Sequence, residues 1–166
     1  MINMSQLREH IIVPSLSKLR LYSKDAEELL VFTCAVETNG GEFLHQVGGP
    51  ALGIYQCEPA TYHDMWRNYI MARHDITMKL SMNFRVTGWP DENLLVTDLA
   101  YATAMARIHY LRVPEPLPSG GDVEGMWKYY KQHYNTPLGS STKSKSIEAY
   151  KRCTKESVWV DRVVMG

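Results

Sequence analysis

From Ser23 to Gly41 the chain carries every local signal of one long, largely buried helix, and that segment limits what the rest can fold into. Ser23 is a residue type whose side chain accepts from free amides at a helix start, and Asp25, Glu27 and Glu28 set negative charge against the positive end of the helix. Ala26, Leu29, Leu30, Thr33, Val36 and Glu37 then recur at three- and four-residue spacing. Asn39-Gly40-Gly41 stops the run with the residues best able to take positive φ.

Helical spacing dominates elsewhere too. Leu7, Ile11, Ile12 and Leu16 predict a short N-terminal helix over Ser5 to about Leu16, disturbed by Pro14. Pro59 suits the first turn of a helix that turns Tyr62, Trp66, Tyr69 and Ile70 to one face, and a shorter helix spans about Ile76 to Phe84. After the Gly88-Trp89-Pro90 turn, Asp91 or Asp98 caps a long helix with the stripe Leu95, Leu99, Ala102, Met105, Ala106 and His109. Pro114, Pro116 and Pro118 make a stiff connector, Asp122 opens a helix through Trp127 and Tyr130 to Tyr134, and Asn135-Thr136-Pro137 closes it. A last helix is expected near Ile147 to Cys153, and Val158-Trp159-Val160 reads equally as a short strand or as an extended arm over 155–166. The expected fold is mainly α with little or no β-sheet, in a single domain over 1–166.

At 166 residues one proper core fits and two would be cramped. Lys and Arg number 18, as do Asp and Glu, so no basic field marks a nucleic-acid partner. Cys34, Cys57 and Cys153 are odd in number and lack metal or redox spacing, so structural thiols are expected. The first ten residues, Met-Ile-Asn-Met-Ser-Gln-Leu-Arg-Glu-His, lack the apolar run of a signal peptide, and no later stretch is apolar enough for membrane insertion.

Glu37 is the residue that a plain helix does not explain. It continues the apolar face of Leu30, Thr33 and Val36, whereas Glu27 and Glu28 share the face expected to be solvated. A half-buried carboxyl has its pKa raised, keeps a proton near neutral pH and can give it to a leaving oxygen. Glycan cleavage needs that step most. A helix-terminal Glu turned outward, or paired with an arginine, is the plain alternative.

About a dozen residues later comes Gly49-Pro50-Ala51-Leu52-Gly53-Ile54-Tyr55-Gln56, then Cys57-Glu58-Pro59-Ala60-Thr61. Together with Glu37 this resembles the signature of the lysozyme-like superfamily, most closely the soluble lytic transglycosylases and goose-type lysozymes. There a catalytic Glu ending a helix precedes a Gly-Ala-x-Gly-Leu-x-Gln segment and a Pro-Ala-Thr helix start. The matching stretch covers about a quarter of the chain. Three features depart from the pattern: Thr-Asn-Gly-Gly follows Glu37, Pro50 stands before Ala51, and the family's Ala-Tyr-Asn segment is missing in plain form, its place taken by Ile108-His109-Tyr110.

The resemblance implies a lysozyme-like fold with a catalytic helix-loop cleft and a peptidoglycan glycan strand as partner. It implies Glu37 as general acid and Gly53, Tyr55, Gln56 and Tyr110 as glycan-binding residues. Arg-Val-Pro-Glu-Pro-Leu-Pro at 112–118 and Tyr-Asn-Thr-Pro-Leu-Gly at 134–139 also look like small lysozyme-like proteins of tailed bacteriophages. That likeness implies an endolysin or a virion-associated lysin, made in the host cytoplasm and acting at the periplasmic wall, with other virion or tail proteins as further partners. A virion structural protein or wall-binding adaptor with the same fold and little catalysis is the alternative.

A second carboxylate would decide the stereochemistry, and Glu42, Glu58 and Asp64 are the candidates, with Glu42 in the glycine-rich loop placed first and Glu58 expected to cap the Pro59 helix. Lytic transglycosylases need none, because the sugar's own 6-hydroxyl closes an anhydro ring. His45, His63 and His109 lack metal-ligand spacing, so no metal and no cofactor are expected. Trp66, Trp89 and Trp127 are candidates for stacking on sugars but more commonly serve as core, and the run Tyr129-Tyr130 to Tyr134 reads as either groove wall or packing. Lys143-Ser144-Lys145 reads as a solvated loop whose lysines can meet an anionic wall polymer.

Overall fold

A computed structural model describes residues 1–135 and 139–164, with backbone alone from 156. The fold is mainly α, and among the described residues there is no sheet. Helix α1 (residues 4–18) is followed by α2 (Lys24–Thr38), α3 (residues 59–70), α4 (His74–Phe84), the single turn α5 (Leu94–Thr97), α6 (Leu99–Leu111), α7 (residues 123–135) and α8 (Lys143–Val164).

Helix α2 forms as its sequence predicts. Ser23 Oγ accepts from the Ala26 amide at 3.0 Å, and Asn39 closes the helix in the left-handed conformation at φ 51°. Its middle is fully enclosed, with Leu29 through Ala35 at 1% exposure or less, because α8, α6, α7 and α1 pack around it.

Several expectations need correction. Pro14 does not disturb α1: a π turn at Arg8–Ile12, closed by the Val13 amide on the Arg8 carbonyl, widens the helix just where the proline ring would crowd the preceding turn. The helix therefore runs on to Lys18. Residues 155–164 form neither a strand nor an arm but continue α8, since an established helix adds residues cheaply even through valines of low helix propensity. Positions 165–166, like Thr136-Pro137 as a helix stop, lie outside the described residues.

Third, Glu27 and Glu28 are not a solvated face. Glu27 is 4% exposed, and Arg8 Nη1 reaches Glu27 Oε1 at 2.9 Å and Glu28 Oε1 at 2.8 Å. Lys24, Tyr22 and Tyr150 donate to the same two carboxylates. Burial alone would raise both pKa values, but the hydrogen bonds from these partners outweigh it and hold both below the ordinary Glu value.

Of the two capping candidates, Asp98 caps α6 by accepting from the Tyr101 amide at 2.9 Å, while Asp91 accepts from the Asn93 amide ahead of α5. Leu95 consequently belongs to α5 and not to the long helix. The three cysteines are buried and unbridged. No described helix is long and apolar enough to cross a membrane.

Candidate functional site

The site is assembled where α2 ends. Thr38, in the last turn, donates its hydroxyl to the Ile54 carbonyl at 2.8 Å and accepts from the Gly41 amide at 2.9 Å. That ties the helix end to the segment 51–57. The segment is folded on itself by paired bonds between Leu52 and Cys57, at 2.9 and 3.0 Å, and is anchored outward by the Gln46 amide on the Ala51 carbonyl at 2.8 Å. Gln56 thereby takes a left-handed backbone (φ 47°), costly for a residue with a side chain, and lines the same groove as Glu37.

The groove has two lobes of about 470 and 580 Å³. Glu37, Gln46, Gln56, Asn135 and Ser140 line both, so Glu37 stands at their junction. One lobe runs on to Glu58, Thr61, His109 and Tyr134; the other runs to Phe43, Val47, Lys145 and Ser146. Each is of the size that small-ligand sites take, roughly 300–1,000 Å³.

Glu37 is only partly open to solvent. Burial pushes its carboxyl up to about 7, against the opposing effect of hydrogen bonds from Tyr130 and Asn135. The last turn of α2 also sets it at the negative end of the helix dipole, which further disfavours the charge. Tyr130 OH donates to Glu37 Oε1 at 2.7 Å, and the tyrosine ring is itself immobilised edge-on against Phe32 at 5.7 Å. The carboxyl is therefore both protonatable near neutral pH and held in one orientation.

Of the residues expected to bind glycan, Gln56 lines the groove and the others do not. Gln56 uses Nε2 on the Gly53 carbonyl at 2.9 Å, which leaves its amide oxygen for a ligand. Gly53 serves the backbone: its φ is +75°, and a Cβ there would collide with the Leu95 carbonyl oxygen. Gly53→Ala is expected to cost about 2 kcal/mol of stability, read as a lowered melting temperature, because both the conformation and the space exclude a side chain.

Tyr55 and Tyr110 are core residues, at 2% and 1% exposure. Their hydroxyls meet Thr103 and Thr33, at 3.0 and 2.8 Å. Hydrophobic burial has taken both rings, so their side chains support the groove from behind. Tyr134 OH donates to the Tyr55 carbonyl at 2.7 Å, and Tyr110 packs on the Tyr134 ring at 5.2 Å.

Glu42 is exposed, accepts from Asn39 at 2.7 Å and lines neither lobe. Asp64 is paired with Arg112 at 2.9 Å. Glu58 occupies the N-cap position of α3 without making a side-chain capping bond, and it lines the first lobe. Of the tryptophans considered for sugar stacking, Trp66 belongs to the core, Trp127 is partly buried against the core cluster, and Trp89 is 38% exposed; none of these lines the groove.

Sequence reasoning missed several groove residues. His109 belongs to the apolar stripe of α6 by spacing, yet it lines the first lobe, and burial with the nearby Arg112 charge lowers its pKa to about 3, so it is neutral at physiological pH. Gln46 and Ser140, in loops, and Asn135, at the end of α7, carry no sequence signal for a groove, since polar residues are commonplace in loops and at helix ends. Tyr130 had one: the tyrosine run of α7 reads as wall or packing, and Tyr130 is both.

Comparison of the chain with protein-family models, with curated proteins and with solved structures gave no match in any of the three. Fold and site thus define a helical protein with a largely buried carboxyl, its pKa raised, at the junction of two groove lobes.

Proposed function

We propose that the chain is a peptidoglycan glycosidase that cleaves the β-1,4 bond between N-acetylmuramic acid and N-acetylglucosamine, with Glu37 as general acid. The observation that carries this reading is the Glu37 carboxyl, raised to about 7 by burial at the junction of the two lobes. A polymer laid along the groove has a bond at that junction, and the protonated carboxyl gives its proton to the leaving oxygen. Gln56, with an amide oxygen open to the groove, holds the sugar next to it.

Completion of the reaction needs either a water activated by a second carboxylate or the sugar's own 6-hydroxyl. Glu42 lies outside the groove, and among the described residues Glu58 is the other carboxylate in it besides Glu37. Glu58 is exposed, in a solvated setting unlike that of Glu37. The 6-hydroxyl route needs no second carboxylate: Glu37, deprotonated after the first step, takes the hydroxyl proton as the anhydro ring closes. In the phage setting that the sequence resemblance implies, the protein acts as an endolysin or virion-associated lysin.

Incubation with purified cell walls tests the reading directly. Mass spectrometry is expected to find soluble muropeptides with 1,6-anhydro ends. Reducing ends would assign hydrolysis instead, and no soluble product would overturn the glycosidase.

The Tyr130 hydroxyl supplies a further check. Its hydrogen bond favours ionised Glu37, so Tyr130→Phe is expected to raise the pKa of Glu37 and move the alkaline limb of the activity profile upward by about half to one pH unit, on the order of 1 kcal/mol for one charge-assisted bond. An unmoved limb would mean that Glu37 does not set it.

A further inference from the structure

The second lobe of the groove ends at the first turn of α8, a helix of 22 residues (Lys143–Val164). The first intrahelical amide bond there is Ser146 N–H to the Thr142 carbonyl, so the amides of Lys143, Ser144 and Lys145 precede it and have no acceptor within the helix. Such a helix end favours an anion.

Two independent observations sharpen this. Ser146 lines the lobe at 2% exposure, and its Oγ is a buried hydroxyl with no hydrogen-bond partner. A buried hydroxyl left unpaired costs stability unless something from outside uses it. The lysines nearby are also unequal. Lys131 is committed to the loop, donating to Asn135 Oδ1 and to the Gly139 and Ser141 carbonyls, and Lys143 pairs with Glu124 at 2.8 Å. Lys145 lines the lobe and has no ion pair among the described residues.

We infer that this end of the groove is a carboxylate subsite, in which Lys145, the Ser146 hydroxyl and the first-turn amides of α8 receive a carboxylate carried by the substrate. The inference rests on the glycan reading above. On an N-acetylmuramic acid strand such a carboxylate comes from two sources: the lactyl group itself, where no peptide is attached, or the acidic residues of an attached stem peptide. An N-acetylglucosamine oligomer has neither, so the subsite distinguishes bacterial wall from chitin-type glycans. It also sets the direction in which a strand lies, with a muramyl residue on the Lys145 side of Glu37.

Calorimetric titration of the Glu37→Gln protein, which binds without turnover, provides the test. Three ligands are used: peptide-bearing glycan fragments, fragments stripped of peptide by an amidase, and an N-acetylglucosamine oligomer. Lys145→Ala is expected to weaken binding of the carboxylate-bearing fragments about tenfold and Ser146→Ala a few-fold, with the neutral oligomer unaffected. Ser146→Ala removes an unpaired buried hydroxyl, so it should not lower the melting temperature, which separates a binding role from a structural one.

Weakening with the stripped fragments assigns the lactyl carboxylate, and weakening with the peptide-bearing ones alone assigns the peptide. Equal weakening for all three ligands, or none for any, overturns the subsite. Should none of the three ligands bind, the glycan reading has failed, and titration with acetate decides the subsite separately. Saturable shifts of the Ser144, Lys145 and Ser146 amides that vanish in Lys145→Ala support it, and their absence overturns it.

Discussion

Replacing Glu37 with glutamine is expected to slow the clearing of cell-wall suspensions by about 10²–10⁴-fold, the usual contribution of a positioned general acid. Glutamine keeps the shape and can still meet the Tyr130 hydroxyl, but it has no proton to give. The same substitution should stabilise the fold in alkaline solution. A native carboxyl raised from 4.5 to about 7 binds its proton more tightly folded than unfolded. Stability therefore falls as pH rises from about 4.5 to about 7, and above that the ionised carboxylate is a net cost on the order of 3 kcal/mol. Glutamine carries no such cost. Melting curves at pH 5 and pH 8 should show wild type and variant close together at the lower pH and the variant more stable at the higher. Normal clearing by the variant would remove Glu37 from the mechanism, and identical melting at both pH values would mean that its carboxyl is not raised.

The second large effect is structural and lies at the other end of the same helix. Arg8→Met should destabilise the protein by about 3 kcal/mol at pH 7, since it leaves two enclosed carboxylates side by side with the exposed Lys24 as counter-charge and the Tyr22 and Tyr150 hydroxyls as neutral donors. For a chain of this length that is a fall of roughly 10 °C in Tm. Because the native pKa values of Glu27 and Glu28 are depressed, their contribution is present above the ordinary value of 4.5 and is lost as pH falls through the lower native values. Wild type and variant should therefore converge once the pH has fallen below the depressed native values of both carboxylates. A difference that persists undiminished there would assign the loss to packing of the arginine stem and not to charge.

The parts of this molecule that follow from local chemistry were readable in its sequence: α2 with its Ser23 cap and Asn39 stop, the Pro59 start of α3, and Glu37 on an apolar face. What depended on tertiary context was not. The solvated appearance of Glu27 and Glu28 ignored Arg8, some 20 positions away, which a π turn brings under them. Tyr55 and Tyr110 resembled ligand-binding residues because a tyrosine offers both an apolar ring and a hydroxyl, and buried threonines satisfy those hydroxyls as well as a sugar would. His109 was hidden for the opposite reason, since its spacing on α6 matched the core. Hydrophobic periodicity gives the face of a helix but not whether that face meets another helix or a cavity.

One consequence follows from how α2 distributes its acids. At its N-terminal end two glutamates stay charged down to unusually low pH, and at its C-terminal end a third stays neutral up to unusually high pH. A single helix thus separates the titrations that ordinary glutamates would share. In mildly acidic solution the clamp on Arg8 is fully ionised while the proton at Glu37 is still in place, so the conditions that preserve the reactive form are also conditions under which the scaffold keeps its strength.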